Sequence, residues 1–294
     1  MAIIIDGKKV SAQVKEQVRI ETEELVKKGI KPGLAVIIVG DDPASRVYVN
    51  NKKKACEKVG FLSKEFALPA TTTQEELLSL VKELNEDKEI NGILCQLPLP
   101  KGLDEKAVIE AISPLKDVDA FHASNVGKIM IGDYDFLPCT PAGVMEMLHS
   151  YNIPVEGKEC VVIGRSNIVG KPMAMLLLHE NGTVTITHSR TKNLKEVTKR
   201  ADILVAAIGK PKFVTADMVK ESRKHCQQAG GNGSKHACRK SKGGGAGGRC
   251  AEQDPLGGTW HCSTDAHADY GRILKLFSSD PWNGQYLYRN DVSQ

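Results

Sequence analysis

Short apolar runs alternate with longer amphipathic stretches along the chain, and this alternation restricts the fold more than any other feature. The runs at 34–39, 61–68 and 90–96 have the length and composition of strands. Residues 10–29 and 73–85 carry apolar side chains at helical spacing, and a Thr-x-x-Glu capping box opens the second of these helices. Strands that alternate with helices predict a parallel α/β sheet.

A second α/β unit follows in the C-terminal direction. Strands are predicted at 160–163, 183–187 and 202–209, and a glycine-containing loop at 164–170 joins the first of them to a helix. Such a turn binds the phosphates of dinucleotides, because backbone N–H groups at the helix start face the ligand. The loop lacks the usual G-x-G-x-x-G spacing. Taken alone it is weak evidence, since strand-to-helix crossovers with glycine are common.

The segment 45–60 follows the first strand and a turn, and it carries a candidate catalytic pair. Ser45 is predicted to be the helix N-cap and Gly60 the stop signal. Tyr48 and Lys52 are four residues apart, so they share one face of that helix. A phenol and an amine at the C-terminal end of a buried strand can hold a planar substrate and move a proton. The alternative is an amphipathic surface helix with solvated lysines.

Polar residues after the third strand are further candidates. Gln96 stands at the carboxyl end of its strand, where open parallel sheets bind ligands, and its amide both donates and accepts hydrogen bonds. The alternative for Gln96 is a rigid exit loop without ligand contact. Asp117 and Asp119 lie two apart, so they face the same way on an extended segment or cap the backbone in a turn. His122 is interpreted as structural.

The residues after the second strand of the C-terminal unit indicate which dinucleotide binds. NAD-selective sites carry an acidic residue there, which binds the ribose diol. Here Ser189 and Arg190 occupy that place. Together with Arg165 they suit a 2′-phosphate, which predicts NADP. The alternative is that Arg190 is only a surface charge.

Charge and composition narrow the classes of function. The net charge of +4 arises late in the chain, because residues 1–221 hold 30 basic and 30 acidic side chains while residues 222–294 hold 10 and 6. A neutral body argues against a nucleic-acid-binding enzyme. No apolar run approaches the roughly 20 residues of a membrane span, so no membrane partner is expected. The scattered cysteines before residue 222 are typical of buried thiols in a reducing compartment.

Six motifs stand in order along residues 2–221: Ser45-x-x-Tyr48-Val49-x-x-Lys52, Gly92-Ile-Leu-x-Gln-Leu-Pro-Leu-Pro100, Lys116-Asp-Val-Asp119, Pro138-Cys-Thr-Pro141, Gly164-Arg-Ser-x-Ile-Val-Gly-x-Pro172 and His188-Ser-x-Thr191. Together they resemble the bifunctional methylenetetrahydrofolate dehydrogenase/methenyltetrahydrofolate cyclohydrolase family. Several long motifs in the family's order make the resemblance highly specific.

The resemblance implies a role for each matching residue. Lys52 would be the catalytic lysine, which assists iminium formation and proton transfer, and Gln96 would assist it. Tyr48 would pack on the folate and Asp119 would bind its pterin. NADP would be held by Gly164, Arg165, Ser166, Gly170, Ser189 and Arg190. No metal is expected.

The resemblance also implies the reactions and their setting. These are NADP-dependent oxidation of 5,10-methylenetetrahydrofolate to the methenyl form, and hydrolysis of that product to 10-formyltetrahydrofolate. The setting would be a cytoplasmic homodimer in one-carbon metabolism and purine biosynthesis. One departure lies beside the pterin-binding residue, because Ala120 stands where the family usually has Gly. If the backbone there has a positive φ, alanine costs roughly 1 kcal/mol.

The fold class is therefore α/β with two domains and an atypical tail. The predicted limits are 1–138 for the folate and catalytic domain, 139–221 for an incomplete Rossmann-like NADP-binding domain and 222–294 for the tail. A hinge is predicted at 136–141, with Thr140 as the N-cap of the next helix.

The tail lacks the strand, glycine loop and final helix that the family would have next, and it holds 12 of the 27 glycines. Its alternatives are a shifted reading frame, a disordered extension and a binding module. A shifted frame or a disordered tail could leave an inactive or partly active remnant of the enzyme.

Overall fold

The structure is a computed structural model that describes residues 3–220 and 287–288. Nearly all of the predicted tail, with its alternatives, lies outside these residues. The strands there are β1 Ile3–Ile4, β2 Gly33–Val39, β3 Leu62–Leu68, β4 Gly92–Cys95, β5 Glu159–Ile163, β6 Thr183–Thr187, β7 Ile203–Ala206 and β8 Leu287–Tyr288. The helices there are α1 Gly7–Lys27, α2 Pro43–Val59, α3 Gln74–Glu86, α4 Glu105–Ala111, α5 Ala123–Ile131, α6 Cys139–Ser150, α7 Gly170–His179 and α8 Leu194–Lys199.

Two parallel sheets organise the described residues, which confirms the predicted α/β class with two units. The first sheet has the order β3-β2-β4 and the second has the order β6-β5-β7, while β1 pairs antiparallel with β8. In each sheet the earliest strand lies in the middle, so the chain crosses to one side and then to the other. The carboxyl end of each middle strand is therefore a switch point, where parallel sheets bind ligands.

Strand β2 is buried on both faces, and its side chains alternate between two apolar clusters. Leu34, Val36 and Ile38 join a cluster with residues of α1 and α2, whereas Ala35 and Ile37 join a cluster with residues of α3. A strand that is covered on both faces reads as a continuous apolar run, which is why the sequence shows no alternation there. The first sheet is thus a rigid base for the loops at its carboxyl edge.

Two predicted helix starts are wrong. Helix α2 is capped by Asp42, whose Oδ2 accepts from Ser45 N at 2.7 Å, so Ser45 lies inside the first turn. Helix α6 begins at Cys139 with Pro138 in the capping place and no side-chain cap, so Thr140 lies within the helix. The predicted stop at Gly60 is confirmed, since Gly60 has φ 87° and ends α2.

The described residues contain neither a membrane-crossing helix nor a cluster of metal-binding side chains. No helix among them combines the length and the apolarity that crossing a membrane requires. No three His, Cys, Asp or Glu side chains among residues 3–220 and 287–288 are grouped closely enough to hold a metal ion.

Candidate active site

Lys52 and Gln96 come from different elements and meet in a hydrogen bond. Lys52 lies in the middle of α2, and Gln96 directly follows β4. Lys52 Nζ donates to Gln96 Oε1 at 3.2 Å, and Gln96 Nε2 donates to Leu97 O at 2.8 Å. Because the second bond holds the amide nitrogen, the amide oxygen faces Lys52 and keeps its ammonium at the carboxyl edge of the sheet. The contact supports the prediction that Gln96 assists Lys52.

Helix α2 is fixed at its start, which sets the direction of its functional face. The Asp42 carboxylate accepts from the backbone of the first turn, and Arg46 Nη1 pairs with Glu65 Oε1 of β3 at 2.7 Å. Tyr48 lies one turn before Lys52 and is 36% exposed. The phenol and the ammonium therefore lie along one side of a helix whose position is held at its first turn.

Asp119 reaches the same edge of the first sheet through a strand-like pairing. Ile93 and Asp117 pair as neighbours in parallel strands, and Ile93 N donates to Lys116 O at 2.7 Å. Asp119 follows in the turn that Ala120 N and Asp117 O close at 3.2 Å, and it lies near enough to Cys95 at the end of β4 and to Lys52 for their charges to interact. The carboxyl, the amide and the ammonium predicted from the sequence therefore lie at one edge of one sheet.

The electrostatics of this edge centre on the Asp119 carboxyl. Burial raises the pKa of Asp119, the ammonium of Lys52 lowers it, and the negative charge of Asp117 raises it. The neighbouring Cys95 has its pKa raised to about 12, first by burial and then by Asp119 and Glu105. Cys95 is therefore a protonated thiol at neutral pH and not a nucleophile.

The chain turns sharply after Asp119. Ala120 is buried with φ 55°, which confirms the positive φ considered for this position. Asp117 Oδ2 accepts from His122 N at 2.8 Å, and His122 Nδ1 accepts from Ser124 N at 3.0 Å at the start of α5. Asp117 therefore accepts a hydrogen bond from the backbone of the turn, which is the capping alternative given for it above. His122 has a structural role, as predicted.

The loop 164–170 is closely packed backbone. Gly164 has φ 121°, and a Cβ atom there would lie 2.4 Å from Ala207 O. A Cβ atom on Gly170 would lie 2.4 Å from Gly164 O. Only glycine fits at both positions, so the loop packs as bare backbone at the start of α7. This is the surface that a dinucleotide phosphate requires.

Ser166 shapes this loop from within. Its Oγ accepts from Val169 N and from Gly170 N, both at 3.2 Å. A hydroxyl has one donor and two acceptor sites, so its O–H is left to donate outward. Ser166 is exposed and holds the loop, and its binding of a phosphate oxygen stays a prediction.

Ser189 and Arg190 lie in the turn after β6, and both are exposed. The turn is held by two bonds, from His188 N to Thr191 Oγ1 at 2.9 Å and from Arg190 N to His188 Nδ1 at 3.1 Å. Arg165 is exposed in the loop after β5, the strand next to β6. These side chains thus start from adjacent loops, and their binding of a 2′-phosphate stays a prediction.

Sequence reasoning missed one buried polar residue near this site. Asn125 in the first turn of α5 is 3% exposed, and its amide bonds to Asp117. The only available signal was a short amide side chain a few residues after the Asp pair, which is too common to single out.

Two family models match the chain, and their limits follow the two sheets. The catalytic domain of tetrahydrofolate dehydrogenase/cyclohydrolase matches residues 5–119. The NAD(P)-binding domain of the same enzymes matches residues 138–226. The first range includes Lys52, Gln96 and Asp119, and the second includes the loop 164–170.

Named relatives agree with these models. The bifunctional protein FolD of Acetivibrio thermocellus is 64% identical over 219 residues, which is 74% of this chain and 77% of the relative. The bifunctional FolD of Campylobacter jejuni has a similar crystal structure, with a TM-score of 0.72 and 47% identity over 74% of this chain and 77% of that one. The FolD of Trypanosoma brucei, solved with NADP cofactor and an inhibitor, has a TM-score of 0.72 and 38% identity over 74% of this chain and 76% of that one.

Proposed function

Because this chain belongs to the tetrahydrofolate dehydrogenase/cyclohydrolase family, we propose that it oxidises 5,10-methylenetetrahydrofolate with NADP⁺ and hydrolyses the methenyl product to 10-formyltetrahydrofolate. The observation that carries the proposal is the hydrogen bond between Lys52 and Gln96 at the edge of the sheet that also presents Asp119. These groups match the needs of a flat heterocycle with a reactive carbon: donors and acceptors for the ring, and an amine for proton transfer.

In the hydrolysis, Lys52 is the group that moves protons. Lys52 takes part in this step in its unprotonated amine form, not as the ammonium: water adds to the methenyl carbon and loses a proton to the Nζ lone pair, while Gln96 Oε1 holds Nζ in place. When the bond between the carbon and the ring nitrogen breaks, that nitrogen takes a proton and the hydroxyl on the carbon loses one. One proton is released overall. Asp119 holds the pterin by hydrogen bonds, and Tyr48 packs against the ring.

The residues around the loop 164–170 fit a dinucleotide, because Gly164 and Gly170 let bare backbone pack closely at the start of α7, where any Cβ atom would collide with neighbouring backbone. Backbone N–H groups and the Ser166 O–H would hold the phosphates there. NADP⁺ held there would supply the hydride acceptor for oxidation of the methylene carbon of the substrate. Ser189, Arg190 and Arg165 would hold the 2′-phosphate, and this is our reason for proposing NADP over NAD.

The setting belongs to the same proposal. A cytoplasmic homodimer that supplies one-carbon units for purine biosynthesis is proposed on the family resemblance alone. The alternative of an inactive or partly active remnant is not favoured, because a bifunctional relative with 64% identity shares the matched region and the Lys52–Gln96 contact is formed.

The two activities are tested separately on the full chain. Methenyltetrahydrofolate is hydrolysed without cofactor, and methylenetetrahydrofolate is oxidised with NADP⁺ or with NAD⁺, both followed by absorbance. We expect both activities and a preference for NADP⁺.

Arg190→Ala should reduce that preference about tenfold, since one charged contact to phosphate contributes on the order of 1.4 kcal/mol. Arg200→Ala, an exposed residue at the end of α8, is the control. Absence of both activities would refute the proposal.

A further inference from the structure

The segment 113–122 carries Asp119, and it is held by both backbone and side-chain hydrogen bonds to neighbouring elements. Its backbone pairs with β4 at Ile93, as described above. In addition, Lys116 Nζ donates to Leu84 O at 2.9 Å and to Asp87 O at 2.8 Å, at the C-terminal end of α3. The segment is therefore tied to a strand and to a helix before it reaches Asp119.

Asn125 closes this segment from the other side. Its Nδ2 donates to Asp117 Oδ2 and to Pro114 O, both at 2.9 Å, so both of its N–H bonds are used. The same Asp117 oxygen accepts from His122 N. One buried amide thus ties the start of the segment to Asp117, and Asp117 ties it to the start of α5. Asp119 lies within the turn that these bonds close.

We propose that Asn125 is a positioning residue for the reaction: through Asp117 it fixes the turn that presents the Asp119 carboxyl to Lys52 and to the pterin. The substrate named here rests on the function proposed above. Asn125 itself contacts no reacting group, and it acts only through the residues that it holds.

A buried amide–carboxylate pair is a costly way to hold a loop. Well-packed apolar side chains often give equal or greater stability than a buried charge. Here the buried charge also acts on the site, because Asp117 opposes ionisation of Asp119 while Lys52 favours it. Cys95, on β4, is the other titratable group facing Asp119. The pair thus has a use that an apolar replacement would not supply.

Asn85 provides a matched control for Asn125. Its Nδ2 donates to Ala111 O at 2.8 Å and its Oδ1 accepts from Ser113 N at 2.9 Å. Asn85 therefore holds the first residue of the segment and the end of α4 with two hydrogen bonds, but neither bond involves Asp117. Asn125→Ala and Asn85→Ala should lower the melting temperature to a comparable extent.

The kinetic readout separates positioning from stability. We expect Asn125→Ala to lower kcat/KM for methylenetetrahydrofolate at least tenfold, mainly by raising KM, because small displacements of a binding group are costly. Asn85→Ala should stay within about threefold of wild type, the range expected when only stability changes. Equal effects of the two substitutions on kcat/KM would overturn the proposal.

A second readout does not depend on activity. The pH titration of the Asp119 carboxyl carbon, assigned with Asp119→Asn, is followed by NMR in the full chain. Asn125→Ala should shift this titration and Asn85→Ala should not. Asp117→Asn keeps an acceptor for Asn125 and His122 but removes the charge, so it should move the titration to lower pH. If the wild-type protein has no activity, the proposed function fails, and these titrations alone decide the inference about Asn125. An unchanged titration of Asp119 in Asn125→Ala would overturn that inference. If Asn125→Ala does not fold, an unchanged titration in Asp117→Asn would overturn it.

Discussion

The folate half (residues 5–119) and the cofactor half (from residue 138) differ in which atoms form the candidate site, side chains in the first and backbone in the second. In the first, side chains make the site: Lys52 bonds to Gln96, and Asp119 is held beside them. In the second, backbone makes it, because Gly164 and Gly170 are packed so closely that no side chain fits. The comparison shows that chemistry requires particular atoms at fixed distances, whereas phosphate binding requires a smooth surface of N–H groups.

The largest expected effect comes from removing the amine of the folate half. Lys52→Met should lower the rate of methenyltetrahydrofolate hydrolysis by about 10²–10⁴, the usual contribution of a positioned acid–base group. Binding of NADP⁺, measured by calorimetry, should stay unchanged because the cofactor site uses other elements.

Lys53 is the matched control for this test, since it is the next residue of α2 and is exposed. Lys53→Met should retain full hydrolysis. Equal losses in the two variants would mean that the site is not built around the side chain of Lys52.

The reverse experiment changes the backbone of the cofactor half. In Gly164→Ala the new Cβ atom would lie 2.4 Å from Ala207 O, so the loop must move. NADP⁺ affinity should fall at least tenfold, or about 1.4 kcal/mol, while hydrolysis without cofactor is retained. Gly143→Ala in α6 is the control, because its Cβ meets nothing within 4 Å and should stabilise the helix by roughly 0.5–1 kcal/mol. Unchanged NADP⁺ affinity in Gly164→Ala would contradict the comparison.

A smaller effect concerns the cost of holding Asp119. Its pKa is raised in the folded state, so between the unfolded pKa of about 3.9 and the folded value the native protein binds more protons. Stability should therefore fall as the pH rises through this window. Asp119→Asn should melt at a higher temperature than wild type at neutral pH, and the difference should vanish below the window.

Asp41→Asn is the control for this pH dependence, at a side chain that is 98% exposed. It should change the free energy of unfolding by less than about 0.5 kcal/mol. If Asp119→Asn does not raise the melting temperature at neutral pH, burial of the Asp119 carboxylate does not lower the stability of the folded protein, and this prediction is contradicted.

The smallest effect compares two buried alanines of the folate half. Ala55 lies in α2, and Ala55→Gly should destabilise by about 1 kcal/mol or more through helix propensity and lost packing. Ala120 has φ 55°, so Ala120→Gly relieves strain and should cost about 1–2 kcal/mol less than Ala55→Gly. Both are measured by denaturant unfolding, and equal costs would show that the turn after Asp119 stores no strain.

The sequence predicts those parts of the molecule that depend on local pattern. Buried apolar runs mark β2 and β5, and the capping box of Thr73 and Glu76 forms as expected. The pattern alone places Lys52 and Gln96 after buried strands, at the edge where parallel sheets bind ligands, and the family resemblance implies that Gln96 assists Lys52.

Other features of the structure could not be predicted from local sequence. Some depend on contacts between residues far apart in the chain, and for others several nearby residues are equally suitable. Three oxygen-bearing side chains near the start of α2 could cap it, those of Asp41, Asp42 and Ser45, and Asp42 does so. Helix α5 was not predicted, because a glycine lies in its middle and its cap is a histidine. The tie from Asn125 to Asp117 needs the pairing of Asp117 with Ile93, and no local pattern contains it.

The central claim is that the folate half and the cofactor half of this chain together carry out two successive reactions on one folate. The most direct measurement supplies the full chain with methylenetetrahydrofolate and NADP⁺, and then quantifies NADPH and 10-formyltetrahydrofolate in the same reaction. The account predicts that both form and approach equal amounts, because each oxidised folate is then hydrolysed at the site of Lys52. Formation of neither product, or of NADPH without enzyme-dependent 10-formyltetrahydrofolate, would contradict it.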